Sequence, residues 1–248
     1  MSLKILAVLT ALIATSPAMA QEDWEYRATF YGWLTGVTTE AETPLGEFEA
    51  EIDFADIFDE LDIAAFAAFE ARKGRWSFIG DGMYVQLSPE ISLPAQSPLS
   101  QGEIETQTGL ISAYATYAVI DEADWRFDIG GGLRYYDAST DTTLIAQDGS
   151  TVGAFTSDGS WTDLLLAARA TRTFNEKWWG IAYADIGGFG IEDSSELSWQ
   201  VFGGFGYRLS DTWSAVAGYR YLSIERDVLN SSINADLYGP QIGVQVAF

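Results

Sequence analysis

Residues 237–248 have the sequence LYGPQIGVQVAF, and this stretch decides the fold class. Counted back from the last residue, every second position is apolar: Phe248, Val246, Val244, Ile242, Pro240 and Tyr238. The positions between them are small or polar. A period of two is the signature of a β-strand with one apolar face. The sequence therefore predicts a final strand that ends on an aromatic side chain at its apolar face.

The first twenty residues have the pattern of a secretory signal. One early cation, Lys4, precedes an apolar run over residues 5–13, and Ala18-Met19-Ala20 follows. A membrane anchor is the alternative, but the run is shorter than the ~20 apolar residues that a spanning helix needs. We expect a signal peptide over residues 1–20 and one domain over residues 21–248. Bacterial outer-membrane barrels are exported in this way and commonly end on an aromatic residue, so we expect Phe248 to be the assembly signal for the barrel-assembly machinery.

Composition limits the class of protein. The chain has 36 Asp and Glu against 13 Lys and Arg, a formal net charge of −23, so nucleic acid is not an expected partner. It has no Cys and therefore no disulfides. No long apolar stretch follows residue 20, so a membrane-embedded chain must be a closed barrel, because lipid leaves no other way to satisfy the backbone amides. The aromatic content of 14% fits a barrel but also a soluble sandwich.

Alternating segments recur along the chain and predict an all-β, antiparallel, up-and-down transmembrane barrel of about ten strands, with 8 or 12 as alternatives. The segments are 24–37, 62–73, 75–88, 103–120, 124–142, 161–174, 178–189, 196–209, 212–227 and 235–248. Their connections alternate in length, as short periplasmic turns and longer external loops do. The predicted loops are 38–61, 89–102, 143–160, 190–195 and 228–234. A soluble sandwich offers no reason for this alternation.

A tryptophan lies beside the amino terminus or a tight turn at five points. We expect these residues to form a periplasmic aromatic belt: Trp24, Trp76, Trp125, Trp178 and Trp213. The alternative is a set of core tryptophans in a soluble β protein.

Along each strand the charged residues fall on the same set of alternate positions, which we call their parity, and therefore on the same face of the strand. A lipid-facing Arg or Lys at the bilayer midplane costs about 2–4 kcal/mol, so this parity faces the lumen. The predicted lumen network comprises Arg27, Glu70, Asp81, Arg126, Asp128, Arg134, Arg169, Asp185, Arg208 and Arg220. Two interpretations follow, a lumen filled by ion pairs and a narrow polar pore for small solutes or ions. We favour the filled lumen, because side chains can fill a barrel of about this size.

The first external loop combines two patterns. Residues 47–54 alternate acidic and apolar side chains, which predicts an extension of the sheet. Phe54, Ile57, Phe58 and Leu61 have helical spacing, which predicts a short helix acting as a lid or plug, or only as a cap over the rim.

The acidic residues of this loop raise the question of metal binding. They lack the pattern of a calcium loop, so we expect no metal site and no cofactor. Diffuse divalent cations that bridge the loops to lipopolysaccharide phosphates are a weaker alternative.

Enzymatic hypotheses are disfavoured. The chain has no His, which removes Ser–His and Cys–His nucleophile pairs. Paired carboxylates such as Asp81 with Glu70 are a remaining acid–base option, but carboxylates that face Arg are more often structural. We expect no enzymatic activity.

Several motifs resemble a family of small outer-membrane β-barrel proteins of Gram-negative bacteria. The resembling stretches are Trp24, FYGWLTG at residues 30–36, FADIFDELD at 54–62, EARKGRW at 70–76 and the terminal strand. The resemblance implies a barrel in the outer membrane, in contact with lipid and lipopolysaccharide. The family has no agreed substrate or catalytic residues, so it implies none here. Omptin proteases are similar in strand number, but the missing His argues against their mechanism.

Overall fold

The structure is a computed structural model, and it describes residues 24–43, 46–52, 54–88, 90–92, 99–146, 148, 150–228 and 231–248. The predicted signal peptide lies outside the described residues. Within these ranges no helix has both the length and the apolar character needed to cross a bilayer.

The described chain forms thirteen strands and one short helix. In chain order they are β1 (Trp24–Trp33), β2 (Gly36–Thr43), β3 (Gly46–Ile52), α1 (Phe54–Asp59), β4 (Leu61–Lys73), β5 (Trp76–Leu87), β6 (Glu90–Ser92), β7 (Leu99–Asp121), β8 (Trp125–Ala146), β9 (Thr151–Thr173), β10 (Trp178–Gly188), β11 (Leu197–Arg208), β12 (Trp213–Val228) and β13 (Ser231–Ala247).

Ten of these strands close into a barrel in the order β1-β4-β5-β7-β8-β9-β10-β11-β12-β13, and β13 pairs back onto β1. Every neighbouring pair is antiparallel, and the closing pair runs from Arg27 opposite Ala247 to Trp33 opposite Gln241. Closure removes free edges within the barrel wall and satisfies the backbone groups of the wall internally. The prediction of an all-β, closed, up-and-down barrel of about ten strands is confirmed.

The two ends of the barrel differ. One end, which we call the turn end, carries both termini of the barrel and the tight connections between consecutive strands. Gly74 occupies the left-handed region, with φ of 56°, in the turn between β4 and β5. The other end, which we call the loop end, carries the β2–β3 hairpin, α1 and the tips of β8 and β9. The β2–β3 hairpin adds to the sheet through β2, which pairs with the first half of β13.

Two features of the first external loop are confirmed. Residues 47–52 of the alternating segment extend the sheet as part of β3, which pairs with β2 from Val37 opposite Ile52 to Thr43 opposite Gly46. Residue 53 lies outside the described residues, and Phe54 is the first residue of α1 and not part of the strand. The predicted short helix is α1.

Several predicted boundaries are wrong. The predicted loop 38–61 contains β3 and most of β2, the loop 89–102 contains β6 and the start of β7, and the loop 228–234 contains the start of β13. Residues 143–160 were expected to be a loop, but β8 continues to Ala146 and β9 begins at Thr151, so the two strands form one long hairpin. Thr, Ser and Gly in this stretch suggested a loop, whereas ladder hydrogen bonds are available to any of these residues. The first segment is also interrupted at residues 34–35, where the chain passes from β1 to β2.

Side chains alternate between the two faces of the barrel wall. Along β8, Arg126, Asp128 and Arg134 are buried inside, and Ile129 and Leu133 are 46% and 49% exposed on the outside. Glycines make room for large rings in the lumen. A Cβ atom at Gly206 would lie 2.0 Å from the Trp179 indole, whereas one at the outward-facing Gly203 would meet no atom within 4 Å.

Candidate functional site

Five charged side chains of alternating sign lie in the lumen toward the turn end and are joined by ion pairs. We call this set the turn-side chain: Arg126, Asp128, Arg169, Glu70 and Arg27. Arg126 donates from Nε to Asp128 at 2.9 Å, and Arg169 bridges Asp128 at 3.2 Å and Glu70 at 2.7 Å. Arg27 then donates to Glu70 at 3.3 Å. These contacts join β8, β9, β4 and β1 across the lumen.

A second cluster, the central network, lies deeper in the barrel and comprises Tyr31, Asp81, Tyr114, Arg134, Asp185, Gln200 and Arg220. Arg134 donates to both oxygens of Asp185, at 2.9 and 2.8 Å. Gln200 links the two halves, because its amide nitrogen donates to Asp185 and its oxygen accepts from Arg220 Nη2 at 2.8 Å.

The second half of the central network is built around Asp81. Arg220 donates to one oxygen of Asp81 at 3.0 Å, and the Tyr31 hydroxyl donates to the other at 2.7 Å. Members come from β1, β5, β7, β8, β10, β11 and β12, so the hydrogen bonds cross the whole lumen. The Arg134, Asp185 and Arg220 side chains are at most 1% exposed.

An apolar layer covers the central network on its loop-end side. It consists of the buried, inward-facing side chains Trp33, Met83, Leu110, Tyr136 and Leu222. The Arg220 guanidinium lies 4.8 Å from the centroid of the Trp33 ring, which joins the layer to the network. Trp161 stacks on Tyr136 at 4.6 Å, and the Arg226 guanidinium lies 4.1 Å from the Trp161 centroid. Along the barrel axis toward the loop end, the charged layer of the central network is therefore followed by an apolar layer.

Side chains of the described residues leave space in the lumen. A cavity of about 150 Å³ lies between the turn-side chain and the central network, and the rings of Tyr31, Tyr183 and Phe202 contribute to its wall. A wider cavity of about 560 Å³ opens at the turn end, where Arg72 and Arg208 contribute to its wall. Free space therefore lies on the turn-end side of the central network.

The structure brings nine of the ten predicted lumen residues into these two clusters, and Arg208 is the exception. Arg208 is exposed at the last residue of β11 and donates to the backbone oxygen of Glu176 at 2.6 Å. It shares the inward parity, but its position at the strand end puts the guanidinium at the mouth of the lumen. The prediction that Arg208 belongs to the ion-pair network is corrected accordingly.

The five predicted belt tryptophans occupy equivalent positions in the fold. Trp24, Trp76, Trp125, Trp178 and Trp213 are each the first residue of a strand that rises from the turn end. Trp76, Trp178 and Trp213 are about half exposed on the outer surface. Trp76 packs edge-on against Tyr117, and Trp178 against Tyr207. Phe248 lies at the same end, stacked at 5.9 Å on Tyr26.

A second girdle of outward aromatics, which sequence reasoning missed, lies toward the loop end. Trp199 stacks on Tyr221 at 5.0 Å, and Tyr221 stacks on Tyr238 at 6.1 Å, across β11, β12 and β13. Tyr84 and Tyr135 are exposed on the outer surface of β5 and β8. The available signal was a tyrosine eight or ten positions after three of the belt tryptophans on the same face: Tyr84 after Trp76, Tyr135 after Trp125 and Tyr221 after Trp213.

Sequence reasoning also missed the uncharged members of the central network. Gln200 shares the inward parity of β11, which was the signal that could have found it. Tyr31 and Tyr114 resemble lipid-facing aromatics in sequence, and only the fold shows that their hydroxyls donate to carboxylates. Within the described ranges no three His, Cys, Asp or Glu side chains are grouped as metal ligands.

Comparison with known proteins shows a likeness of fold. No family model matches the sequence, and no curated protein matches it. Among solved structures, the outer membrane protease OmpT from Escherichia coli superposes with a TM-score of 0.58 at 10% identity, over 92% of this chain and 98% of that one. The translocator domain of the autotransporter NalP from Neisseria meningitidis gives 0.47 at 14% identity, over 98% and 93%. The likeness to the OmpT structure is one of fold alone, a closed β-barrel.

Proposed function

We propose that the protein is an integral β-barrel of the outer membrane of a Gram-negative bacterium, with a structural or surface role and a lumen that does not conduct. The observation that carries the proposal is the central network under its apolar layer. Buried Arg–Asp pairs hydrogen-bonded on several sides cannot be separated cheaply, because a lone buried charge costs several kcal/mol.

The outer surface supports insertion in a membrane. Leu133, Leu164, Leu166, Phe205 and Ile242 are about half or more exposed, and they lie between the two aromatic girdles. Large apolar side chains exposed in this way have no place in water but match the acyl chains of lipid.

The spacing of the girdles fits a bilayer. Along β8, Trp125 of the first girdle and Tyr135 of the second are separated by ten positions. At about 3.3 Å per residue and a tilt of about 40°, ten positions span about 25 Å, the height of the apolar band in outer-membrane barrels.

Orientation follows from the connections. Short turns of such barrels face the periplasm and long loops face the exterior, so we assign the turn end to the periplasm and the loop end to the cell surface. In this orientation the loop end meets lipopolysaccharide, and Phe248 lies on the side from which the barrel-assembly machinery works. Diffuse divalent cations at the acidic loops stay a prediction.

The proposal gives the lumen carboxylates a structural role. Glu70, Asp81, Asp128 and Asp185 each accept from an arginine, so none is free to act as a general base. The likeness to the outer membrane protease OmpT concerns the fold alone, and the chain contains no His.

Single-channel conductance in a planar bilayer tests the proposal, with a gel-shift comparison of boiled and unboiled protein to verify folding. We expect a heat-shifting protein that produces no conductance steps. Stable, reproducible steps would overturn the closed lumen and favour a narrow pore. A protein that neither inserts nor shifts on heating would overturn the membrane barrel itself.

A further inference from the structure

One edge of the sheet is unpaired at the loop end, although the barrel is closed. β9 pairs with β8 along its whole length, up to Thr151 opposite Ile145. On its other side β9 pairs with β10 only as far as Leu165, opposite Gly187, because β10 ends at Gly188. Residues 151–160 therefore have no partner strand on that side among the described residues, and we call them the free edge.

The free edge is exposed on both faces of the strand. Of its ten residues only Gly153 is partly buried, and Val152 and Phe155 are 56% and 57% exposed. The β8–β9 register shifts at Val152, between Gly153 opposite Leu144 and Thr151 opposite Ile145. In the regular antiparallel ladder over residues 153–160 every second residue directs its N–H and C=O away from the existing partner, so about four of each point outward.

Natural edge strands are usually protected by Lys, Pro or dense charge, because an unpaired edge is a template for another strand. The free edge has the sequence TVGAFTSDGS, with no Lys, no Pro and a single charge, Asp158. β3, another edge strand, which among the described residues pairs only with β2, differs in sequence, since acidic residues occupy every second position at Glu47, Glu49 and Glu51. Of these two edges, β9 has the sequence that is more open to pairing with another strand.

Charge decides what kind of strand fits. The sequence from residue 137 to residue 160, whose described part forms the hairpin above the loop-end girdle, contains four Asp and neither Lys nor Arg. A second copy of this chain would bring the same negative charge to the edge. A basic segment would lie beside complementary charge.

We propose that the free edge of β9 binds an extended, Lys- or Arg-bearing segment of another protein, which adds a strand to the sheet. Main-chain hydrogen bonds supply the pairing, as in other cases of strand addition, and the aspartates select a basic partner. The inference rests on the proposed function only for its location, because that function assigns the loop end to the cell surface.

Three ten-residue peptides test the pairing on folded, detergent-solubilised protein by fluorescence anisotropy. The first alternates Lys and Val, the second is the same peptide with alternate backbone amides N-methylated, and the third alternates Glu and Val. N-methylation keeps the charge but blocks the ladder. We expect the first peptide to bind and to protect amides within residues 151–160 from hydrogen exchange, and the other two to bind at least about tenfold more weakly.

Paired variants locate the site. Val152→Lys with Phe155→Lys adds two positive charges to the free edge and should weaken binding of the Lys peptide about tenfold or more. Phe189→Lys with Ile191→Lys is the control, because these residues are 47% and 50% exposed at the loop end but lie in the β10–β11 connection. The control should change binding by less than about twofold.

Three results overturn the proposal: no binding of the Lys peptide, equal binding of the N-methylated peptide, and protection of amides outside the free edge. Self-association of the protein through β9, measured by sedimentation, would replace the basic partner by a second copy and also overturn it. The conductance measurement tests the closed lumen and does not depend on peptide binding to the free edge. A protein that binds the peptide and conducts ions would refute the closed lumen and leave the inference standing.

Discussion

β8 and β9 run side by side through two different environments. In the barrel wall they carry Arg126, Asp128, Arg134 and Asp163, all buried in the lumen, with apolar side chains on the opposite face. Beyond Tyr135 and Tyr136 the same two strands continue as a hairpin. In the part of β9 that belongs to this hairpin, almost every side chain is exposed, whichever face of the strand it lies on. The pairing of β8 with β9 extends through both halves, with one register shift between Leu144 and Ile145 near the tip of the hairpin.

The difference shows what each half depends on. In the wall, one face is stabilised by buried ion pairs and the other by the surrounding lipid that we propose. In the described part of the hairpin the contacts are strand pairing, with β7 also pairing along β8, and side-chain hydrogen bonds such as the one from Thr156 to Asp141. Side-chain substitutions should therefore be costly in the wall and nearly silent in the hairpin.

The largest effect should come from the double substitution Arg126→Ser with Arg134→Ser. It leaves Asp128 and Asp185 short of their buried partners in two separate clusters, and breaking one buried pair costs about 3–5 kcal/mol. We expect a loss of unfolding free energy of more than about 5 kcal/mol, measured by denaturant titration in lipid vesicles, and leakage of small ions. Unchanged stability together with unchanged leakage would contradict an inward-facing network.

Breaking a single ion pair in the central network should cause a smaller loss of unfolding free energy. Asp185→Ala leaves the fully buried Arg134 without its carboxylate, and we expect a loss of about 3–5 kcal/mol in the same titration. Glu25→Gln is the matched control, because Glu25 pairs with Arg27 and Arg72 but its side chain is 58% exposed. Exposed pairs contribute at most about 1 kcal/mol, so equal losses for the two variants would refute the assignment of the network as buried.

Glycine substitutions on β11 compare the two faces of the wall. Gly206→Ala forces a methyl group against the Trp179 indole, and overpacking of this kind costs about 1–3 kcal/mol. Gly203→Ala meets no neighbouring atom and should be neutral or stabilise by up to about 1 kcal/mol, since alanine loses less backbone entropy. The prediction fails if both variants have the same midpoint of urea unfolding.

The smallest effect is expected in the hairpin. Val152→Ala with Phe155→Ala removes two side chains that are more than half exposed, so the unfolding free energy should change by no more than about 0.5 kcal/mol. Thermal unfolding followed by gel shift measures this. A loss above about 2 kcal/mol would show that the hairpin packs against another part of the chain.

Much of the architecture could be predicted from periodicity. Alternation located the barrel strands, the first-loop pattern located β3 and α1, and the parity of charges selected the charged residues of the two lumen clusters but not Tyr31, Tyr114 and Gln200. The tips of β8 and β9 could not be predicted, because their Thr, Ser, Gly and Ala side chains carry no period of two. Arg208 was misassigned because parity gives the face of a strand but not the depth along the barrel axis.

The sequence by itself determined that the chain is a barrel with charged residues inside. A strand in a membrane wall must alternate apolar and polar side chains, and this alternation can be read directly from the sequence. The tertiary structure alone decided which charges meet. Arg134 reaches Asp185 and Arg220 reaches Asp81 across the lumen, between residues 51 and 139 positions apart in the chain. Such pairings depend on barrel closure and on the stagger between strands, which no local pattern encodes. The free edge of β9 arises in the same way, from the difference in length between two neighbouring strands.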